Sequence, residues 1–254
     1  MKLEDLISKA LFYISVPKCV ACGKKLDIES KALCEECLAE YRTNKELNCA
    51  ICARCYDRCT CSNTYLSSHG IKHLFKVFRY HPDERHAENS LIYALKEDNR
   101  KDVFDFFASE LSASIKSADF AFSNPIITNI PRRKSVINKF GYDHAEVLAR
   151  KISKILNIEY KRTLKSKSEK SQKETSGTER RTNPNFFIIE DNLSLKGRDV
   201  IIVDDIVTTG SSLSSAGMLI RALGAKRVFG AALSICYKDE RIIFDTSDRF
   251  IPTK

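Results

Sequence analysis

A chain of 254 residues, 43% hydrophobic and 30% charged, is long enough to bury a core and has the composition of a globular protein of one or two domains. Its net charge of +9 favours anionic ligands such as pyrophosphate or nucleic acid, without choosing between them. No stretch approaches the roughly 18 apolar residues of a membrane span, and the start of the chain lacks a signal-peptide pattern. We therefore expect a cytoplasmic protein that does not insert into a membrane.

The N-terminal part of the sequence is rich in cysteine. Residues 3–14 have the apolar spacing of a short amphipathic helix, and nine of the ten cysteines then fall between Cys19 and Cys61. Because disulfides are rare in cytoplasmic proteins, this clustering favours metal ligation. We predict a small cysteine-rich module over residues 1–65, followed by a larger domain over residues 66–254.

The cysteines form two groups with the spacing of zinc ligands. The first group consists of two C-x2-C pairs, Cys19, Cys22, Cys34 and Cys37. Four thiolates from two tight turns can surround one Zn²⁺, and a closed tetrathiolate site is structural because it leaves no position for catalysis. The second group holds five cysteines, one more than such a site needs. Its preferred ligand set is Cys49, Cys52, Cys59 and Cys61, and the alternative set of Cys52, Cys55, Cys59 and Cys61 stays open. One or two Zn²⁺ ions are therefore expected.

The pattern after the module alternates between strands and helices. Residues 71–80 alternate apolar and polar positions as a strand does, and residues 84–98 and 101–117 have helical spacing. Lys96, near the end of the first of these helices, is interpreted as part of a solvated helix end, with an anion contact as the alternative.

A basic cluster follows the next predicted strand. Residues 125–131 are apolar enough for a buried strand, and Arg132, Arg133 and Lys134 come directly after it. In a parallel sheet these cations would lie at the carboxyl edge, where ligands of such sheets bind. Asp143 then predicts the N-cap of a helix. We expect Arg132 and Arg133 to contribute to an anion site, the alternative being a solvated surface.

A longer basic segment separates this helix from the next strand. Residues 161–181 are rich in Lys and Arg and almost free of apolar residues, which predicts a mobile loop. Such a loop, with Arg180 in it, could close over an anion and exclude water. The alternative is a simple linker between strands. Residues 186–189 and 225–235 predict further strands.

The most informative stretch covers residues 199–215. Its β-branched run over residues 200–203 predicts a central strand buried on both faces, which we expect to end at Asp204 and Asp205. Hydroxyls and backbone amides at a helix N-terminus favour a phosphate. The sequence therefore predicts a sugar phosphate site in which the acids bind ribose hydroxyls, the alternative being a βα turn with a polar cap. The turn before the next predicted helix consists of Thr208, Thr209, Gly210, Ser211 and Ser212.

This stretch resembles the phosphoribosyl pyrophosphate (PRPP) motif of type I phosphoribosyltransferases. Together with residues 141–144, the spacing of Gln172, Arg180, Asn183 and Phe186, and the double cysteine group, it resembles the ComF family of competence-associated proteins. The resemblance implies a type I phosphoribosyltransferase fold, an α/β parallel sheet flanked by helices, behind a zinc-ribbon module. It also implies binding of PRPP and Mg²⁺ and a part in DNA uptake (natural competence) or nucleotide metabolism.

The candidate residues then take separate roles. Asp204 and Asp205 would be catalytic, holding the ribose hydroxyls while pyrophosphate leaves C1. The 5′-phosphate would bind to Thr208, Thr209, Gly210, Ser211 and Ser212, and Arg180, with Lys173 or Arg181, would close over the pyrophosphate. Arg132 and Arg133 complete the predicted substrate-binding set. Where the family often has two arginines, this chain has Lys139 and Phe140, which leaves one cation fewer.

Two other classes of function stay open. A non-catalytic protein could keep the PRPP fold as a sensor or scaffold and bind single-stranded DNA through its basic segments, with an affinity that falls steeply with salt. Alternatively, the cysteine module could bind protein partners such as competence proteins. The intact acid pair favours retained PRPP affinity and a phosphoribosyltransferase, without deciding turnover.

Overall fold

The computed structural model describes residues 17–27, 32–49, 51–80, 86–98, 100–118, 120–166, 187–190 and 193–236. The helix predicted over residues 3–14 lies outside the described residues. So do Asn183 and most of the predicted basic loop, including Gln172, Lys173, Arg180 and Arg181. Within the described part of the chain, no helix is both long enough and apolar enough to span a membrane.

Seven helices lie in the described part of the chain. They are α1 (Glu35–Lys45), α2 (Thr64–Ser68), α3 (Ala87–Glu97), α4 (Lys101–Ser117), α5 (Lys134–Phe140), α6 (His144–Leu156) and α7 (Ser211–Ala222), with a short 3₁₀ turn at Tyr56–Arg58. The helix predicted over residues 101–117 is confirmed with the same bounds as α4. Helices α1, α2 and α5 are not among the predicted ones. In α5 the seven residues contain only a single turn of apolar spacing.

The strands build one main sheet and one small ribbon. They are β1 (Leu74–Phe75), β2 (Phe78–Tyr80), β3 (Ile126–Asn129), β4 (Glu159–Tyr160), β5 (Leu164–Ser166), β6 (Phe187–Ile189), β7 (Asp199–Val207) and β8 (Arg227–Cys236). The main sheet has the order β1-β8-β7-β3-β4, and β2 also pairs with β8. All of its pairings are parallel, whereas β5 and β6 pair antiparallel.

The central strand β7 is covered by helices on both faces. Ile201 and Val203 lie in the core that contains the buried residues of α4 and α6. Val200 and Ile202 lie in the core on the opposite face, with the buried residues of α7. This alternation explains why the β-branched run carries no polar residue, since both faces of a parallel sheet are buried. The predicted α/β fold with a parallel sheet flanked by helices is confirmed.

Three strands differ from their predictions. Strand β7 does not end at the acid pair, because Ile206 and Val207 still pair with β8. The strand predicted over residues 71–80 is divided into β1 and β2, and between them the Lys76 side chain is fully buried. Within the predicted loop over residues 161–181, β5 pairs with β6 and buries Leu164 and Phe187.

The cysteine module and the sheet share one hydrophobic core. In α1, Tyr41 is 1% exposed and its ring contacts the rings of Phe78 and Phe106. The Tyr41 hydroxyl also donates a 3.0 Å hydrogen bond to Glu110 of α4. The described residues on both sides of position 65 are thus packed together, and the domain boundary there stays a prediction.

Candidate functional site

The two adjacent acids lie in β7 beside two cations from distant parts of the chain. The Arg132 guanidinium donates a hydrogen bond to Oδ2 of Asp205, and the Lys96 ammonium lies 3.5 Å from the same oxygen. The Asp205 side chain is 13% exposed, so these pairs are only partly screened by water. The peptide N–H of Asp205 donates a 2.9 Å hydrogen bond to Oδ1 of Asp204. The structure therefore brings Asp204, Asp205 and Arg132 together, as the sequence predicts, and adds Lys96.

The pKa values of the two acids shift in opposite directions. Burial, together with the negative charge of Asp205, raises the pKa of Asp204 well above its ordinary value. Burial alone would also raise the pKa of Asp205, but Lys96 and Arg132 outweigh it and lower that pKa. Because the two carboxyl groups interact, they titrate as a pair, and Asp205 ionises before Asp204 as the pH rises.

The position of Arg132 is set by Asp143. Oδ2 of Asp143 accepts a 2.9 Å hydrogen bond from the backbone N–H of Arg132. Oδ1 accepts from the backbone N–H groups of Ala145 and Glu146, so Asp143 caps α6 as predicted. One buried carboxylate thus joins the basic loop to the start of a helix. Arg133 is exposed at the position preceding α5, and Arg180 lies outside the described residues.

Lys96 departs from its preferred interpretation. It lies in the last turn of α3, as predicted, but its ammonium approaches Asp205 instead of being fully solvated. The backbone carbonyl of Lys96 lies 3.1 Å from Nε2 of His144, which anchors the end of α3 to α6. No local pattern could have revealed the contact between Lys96 and Asp205, because these residues are more than 100 positions apart and only the fold brings them together.

The predicted phosphate loop forms the entrance to α7. Thr208, Thr209 and Ser212 are exposed, and Gly210 occupies the N-cap position with φ of 87°. Glycine has no side chain that could cap the first amides of α7, and the N–H of Ser211 donates only a long, 3.4 Å hydrogen bond to Oγ1 of Thr209. An uncapped helix N-terminus of this kind favours an anion. A Cβ at Gly210 would lie 2.7 Å from Cγ of the buried Leu66. Both the backbone angle and the close contact therefore require glycine at this position.

The sulfur atoms of each cysteine group lie close together in the folded chain. The sulfur atoms of each group lie within 4.8 Å of one another, and the two groups are Cys19, Cys22, Cys34, Cys37 and Cys49, Cys52, Cys59, Cys61. Zinc–sulfur bonds of about 2.3 Å in a tetrahedron separate the sulfurs by roughly 3.8 Å. The donor set therefore fits Zn²⁺ in both places. Cys55 is outside the second group, and its sulfur lies 3.9 Å from Oδ1 of Asn48.

The first turns of the two groups have the same backbone. The N–H of Gly23 donates to the carbonyl of Cys19 at 2.9 Å, and the N–H of Ala53 donates to that of Cys49 at 2.8 Å. Both donors have a left-handed backbone, with φ of 76° at Gly23 and 56° at Ala53. The repeated geometry extends the doubling of the cysteine pattern from sequence to structure, although the second turn lacks the glycine that this conformation favours.

A buried lysine supports the second cysteine group. Nζ of Lys76 donates to Sγ of Cys59 at 3.1 Å and to the carbonyl of Cys61 at 2.8 Å. Hydrogen bonds from Cys49 and Cys61, with the charge of Lys76, lower the pKa of Cys59 to about 3. This sulfur is therefore a thiolate at neutral pH, the form that binds metal. Sequence reasoning missed Lys76, which sits in a predicted strand.

Residues 143–248 match the family model of the phosphoribosyl transferase domain. The ribose-phosphate pyrophosphokinase of Saccharolobus solfataricus is 38% identical over 87 residues, which are 34% of this chain and 26% of that protein. The DNA utilization protein YhgH of Escherichia coli K12 is 24% identical over 221 residues, covering 83% of this chain and 93% of that protein. A hypoxanthine phosphoribosyltransferase structure from Staphylococcus aureus aligns with a TM-score of 0.37 and 17% identity over 52% of this chain and 62% of that chain.

The matches differ in how much of each protein they cover. This chain spans about a quarter of the length of the pyrophosphokinases it matches, and nearly all of YhgH. The similarity to YhgH extends well beyond residues 143–248, since it covers 83% of the chain. Residues 143–248 thus match a phosphoribosyl transferase domain and follow two cysteine groups that could hold metal ions, the organisation that the ComF resemblance predicts.

Proposed function

We propose that this protein binds PRPP with Mg²⁺ and acts as a phosphoribosyltransferase. The observation that carries the proposal is the placement of the acid pair. Asp205 lies in contact with Arg132 and Lys96, and the phosphate loop begins three residues after it, at Thr208. The carboxyl oxygens of the acid pair could accept hydrogen bonds from the ribose. The cations beside them could bind the pyrophosphate, and the amides of the phosphate loop could bind the 5′-phosphate.

Each part of the site has a distinct task in the reaction. The amides and hydroxyls of the phosphate loop hold the 5′-phosphate. Asp204 and Asp205 bind the ribose hydroxyls, and the charge of the pair favours the positive character that develops on the sugar as the bond from C1 to pyrophosphate breaks. The electron pair of that bond leaves with the pyrophosphate, and a nucleophile of the acceptor forms the new bond to C1.

Arg132 and Lys96 change partners during binding. Without a ligand they neutralise Asp205. When the ribose hydroxyls donate hydrogen bonds to the Asp205 carboxylate, Arg132 and Lys96 become available to bind and stabilise the leaving pyrophosphate. Carboxylate and phosphate oxygens are also the hard ligands that Mg²⁺ prefers, and bound Mg²⁺ would supply further neutralisation of the pyrophosphate charge. Arg133 and Arg180 are the further cations proposed for this anion.

The cysteine groups are proposed to hold two structural Zn²⁺ ions. Four sulfurs at tetrathiolate spacing support each site, and a closed site contributes folding free energy and no catalysis. The name of YhgH refers to DNA utilization, which supports a role connected with DNA. DNA uptake or nucleotide metabolism in the cytoplasm is the setting proposed for this role.

A second candidate is a non-catalytic protein that binds single-stranded DNA or competence proteins. The net charge of +9 and the exposed Arg133 favour an anionic polymer. In that case the PRPP fold would serve as a sensor or scaffold. Binding of DNA through phosphates would weaken steeply as salt is raised, which distinguishes it from a compact metal-assisted site.

The test is a calorimetric titration of PRPP with Mg²⁺ into the zinc-loaded protein. The double variant Asp204→Asn, Asp205→Asn removes the charge of the pair and keeps its shape. Because hydrogen bonds to charged groups contribute about 1.5–3 kcal/mol each, we expect PRPP affinity to fall by at least about tenfold. Release of pyrophosphate in the presence of candidate acceptors then measures turnover.

The matched control is Asp105→Asn with Glu159→Gln. It removes the same charge from two exposed acids that form ion pairs with Lys151 and Arg198, away from the acid pair. We expect unchanged PRPP affinity in this variant. If the wild-type protein does not bind PRPP, the enzyme proposal is wrong, and salt-dependent binding of single-stranded DNA would then favour the second candidate.

A further inference from the structure

The segment between the second cysteine group and β1 lies directly on the phosphate loop. Asn63, two residues after Cys61, is the N-cap of α2, and its Oδ1 accepts a 2.8 Å hydrogen bond from the N–H of Leu66. Nδ2 of the same side chain donates a 3.3 Å hydrogen bond to the carbonyl of Thr209. A single amide therefore holds both the helix that follows the cysteines and the loop predicted to bind phosphate.

The rest of this segment packs along α7. Leu66 is fully buried against Gly210, the first residue before α7. Further along, Arg221 of α7 donates to the carbonyl of His69, and Ile71 packs closely enough against Gly217 that a Cβ there would lie 2.8 Å from its Cδ1. The segment is thus docked at several points, with Asn63 at the end nearest the phosphate loop.

Both ends of the segment are fixed at the second cysteine group. Cys61 belongs to that group and forms a backbone bridge with His73. The N–H of Leu74 donates to the carbonyl of Thr60 at 2.9 Å, and Lys76 donates to the carbonyl of Cys61. Residues 61–73 therefore form a closed loop with the cysteines at its base and Asn63 in contact with the phosphate loop.

The Asn63 contact also sets the direction of a peptide group. In a trans peptide the C=O of one residue and the N–H of the next point in opposite directions. Because the carbonyl of Thr209 faces Asn63, the N–H of Gly210 points away from Asn63. That amide is one of the donors at the start of α7, where a phosphate would bind.

We propose that Asn63 is a positioning residue for the 5′-phosphate site and couples that site to the second cysteine group. This inference rests on the proposed function. Metal at the cysteines fixes the base of the segment, Asn63 fixes the peptide between Thr209 and Gly210, and the loop amides are held ready for the phosphate. Metal at the second cysteine group therefore raises the affinity of the loop for a sugar phosphate. Because coupling between two binding sites is reciprocal, a bound sugar phosphate raises the affinity of the second cysteine group for metal by the same factor.

The experiment compares Asn63→Ser with the wild type. Serine is as good an N-cap as asparagine, so α2 keeps its cap, but its shorter side chain cannot also reach the carbonyl of Thr209. Calorimetry with ribose 5-phosphate and, separately, with pyrophosphate, both with Mg²⁺, reports the two halves of the site. We expect about tenfold weaker binding of ribose 5-phosphate, the effect of one lost hydrogen bond, and unchanged binding of pyrophosphate.

The control and the metal measurement complete the test. Ser62→Ala removes the neighbouring hydrogen bond to the carbonyl of Lys72, which does not involve the phosphate loop, and should leave both affinities unchanged. Competition with a chromophoric chelator measures zinc affinity with and without ribose 5-phosphate. The sugar phosphate should raise zinc affinity in the wild type and in Ser62→Ala, and much less in Asn63→Ser.

The outcomes separate this inference from the proposed function. If the wild type binds ribose 5-phosphate and Asn63→Ser binds it equally well, the role of Asn63 is wrong and the proposed function stands. Equal loss of pyrophosphate binding in Asn63→Ser would mean a general structural defect, which also overturns the inference. If the wild type binds neither ribose 5-phosphate nor PRPP, both the inference and the proposed function fail.

Discussion

His144 is an ionisable side chain whose charge is set by its surroundings beside the candidate site. It is 1% exposed, and its Nε2 lies 3.1 Å from the carbonyl of Lys96. Because a carbonyl only accepts, Nε2 carries the hydrogen in this contact. Burial, with repulsion from Arg132, lowers the pKa of His144 from 6.5 to about 4. The ring is therefore neutral at physiological pH and holds the end of α3 without adding a charge next to Asp205.

The lowered pKa predicts a pH-dependent loss of stability that His144→Gln removes. Between pH 6.5 and 4 the unfolded chain binds a proton that the folded protein does not, so the stabilisation present at neutral pH is lost as the pH falls. From pH 7 to pH 5, the free energy of unfolding of the wild type should fall by about 2 kcal/mol more than that of the variant. Urea unfolding at the two pH values measures this difference. Equal pH dependence in both proteins would contradict a neutral His144.

Asp143 joins elements that the chain places on either side of α5. It caps α6 and holds the backbone of Arg132, which follows β3. Its Oδ2 also lies 3.5 Å from Nδ2 of Asn129, the last residue of β3, and burial raises the pKa of Asp143. The basic loop is thus held in place by the helix cap, and the position of the Arg132 guanidinium depends on both.

Two substitutions at Asp143 separate the cap from the loop. Asp143→Ala removes both functions and should lower the free energy of unfolding by about 1 kcal/mol, the usual cost of a lost cap. Asp143→Ser restores a cap, so stability should recover, but one hydroxyl cannot serve α6 and the N–H of Arg132 together. We expect weaker pyrophosphate binding in both variants, measured by calorimetry, and lower stability only in Asp143→Ala. Unchanged pyrophosphate affinity in Asp143→Ser would exclude this role for the carboxylate.

The elements with strong local patterns could be predicted from the sequence, and those that depend on partners could not. Helix α4 and the core of β7 carry uninterrupted apolar patterns, and their positions agree with the prediction. The full length of β7 depends on pairing of Ile206 and Val207 with β8, which no local pattern encodes. Similarly, Lys76 divides a predicted strand because its ammonium reaches Cys59 and Cys61, and Lys96 reaches Asp205 only in the folded chain.

The whole molecule has a continuous core that crosses the predicted boundary near residue 65. Leu33 and Tyr41 on the cysteine side are 1% exposed and belong to the same core as Phe107 and Ile201. Polar contacts reinforce this packing, since Lys45 lies 2.8 Å from Glu110. Because the residues before and after position 65 share this core, each part stabilises the other, and we expect the two parts to unfold together.

Tyr41→Ala tests whether the chain unfolds as one unit. Loss of a buried aromatic ring should lower the free energy of unfolding by about 3 kcal/mol or more. In the zinc-loaded protein, far-ultraviolet circular dichroism follows the helices and sheet, and labelling of thiols follows the cysteine groups. We expect the two probes to give the same denaturant midpoint in the wild type, and the same lower midpoint in Tyr41→Ala.

Tyr93→Ala, at a residue 52% exposed, is the control and should change the free energy of unfolding by less than about 0.5 kcal/mol. Thiol labelling that precedes the loss of circular dichroism would instead establish an independent module ending near residue 65. Coincident transitions would mean that the residues on both sides of position 65 unfold as one unit, in agreement with the hydrogen bond from Asn63 to the carbonyl of Thr209.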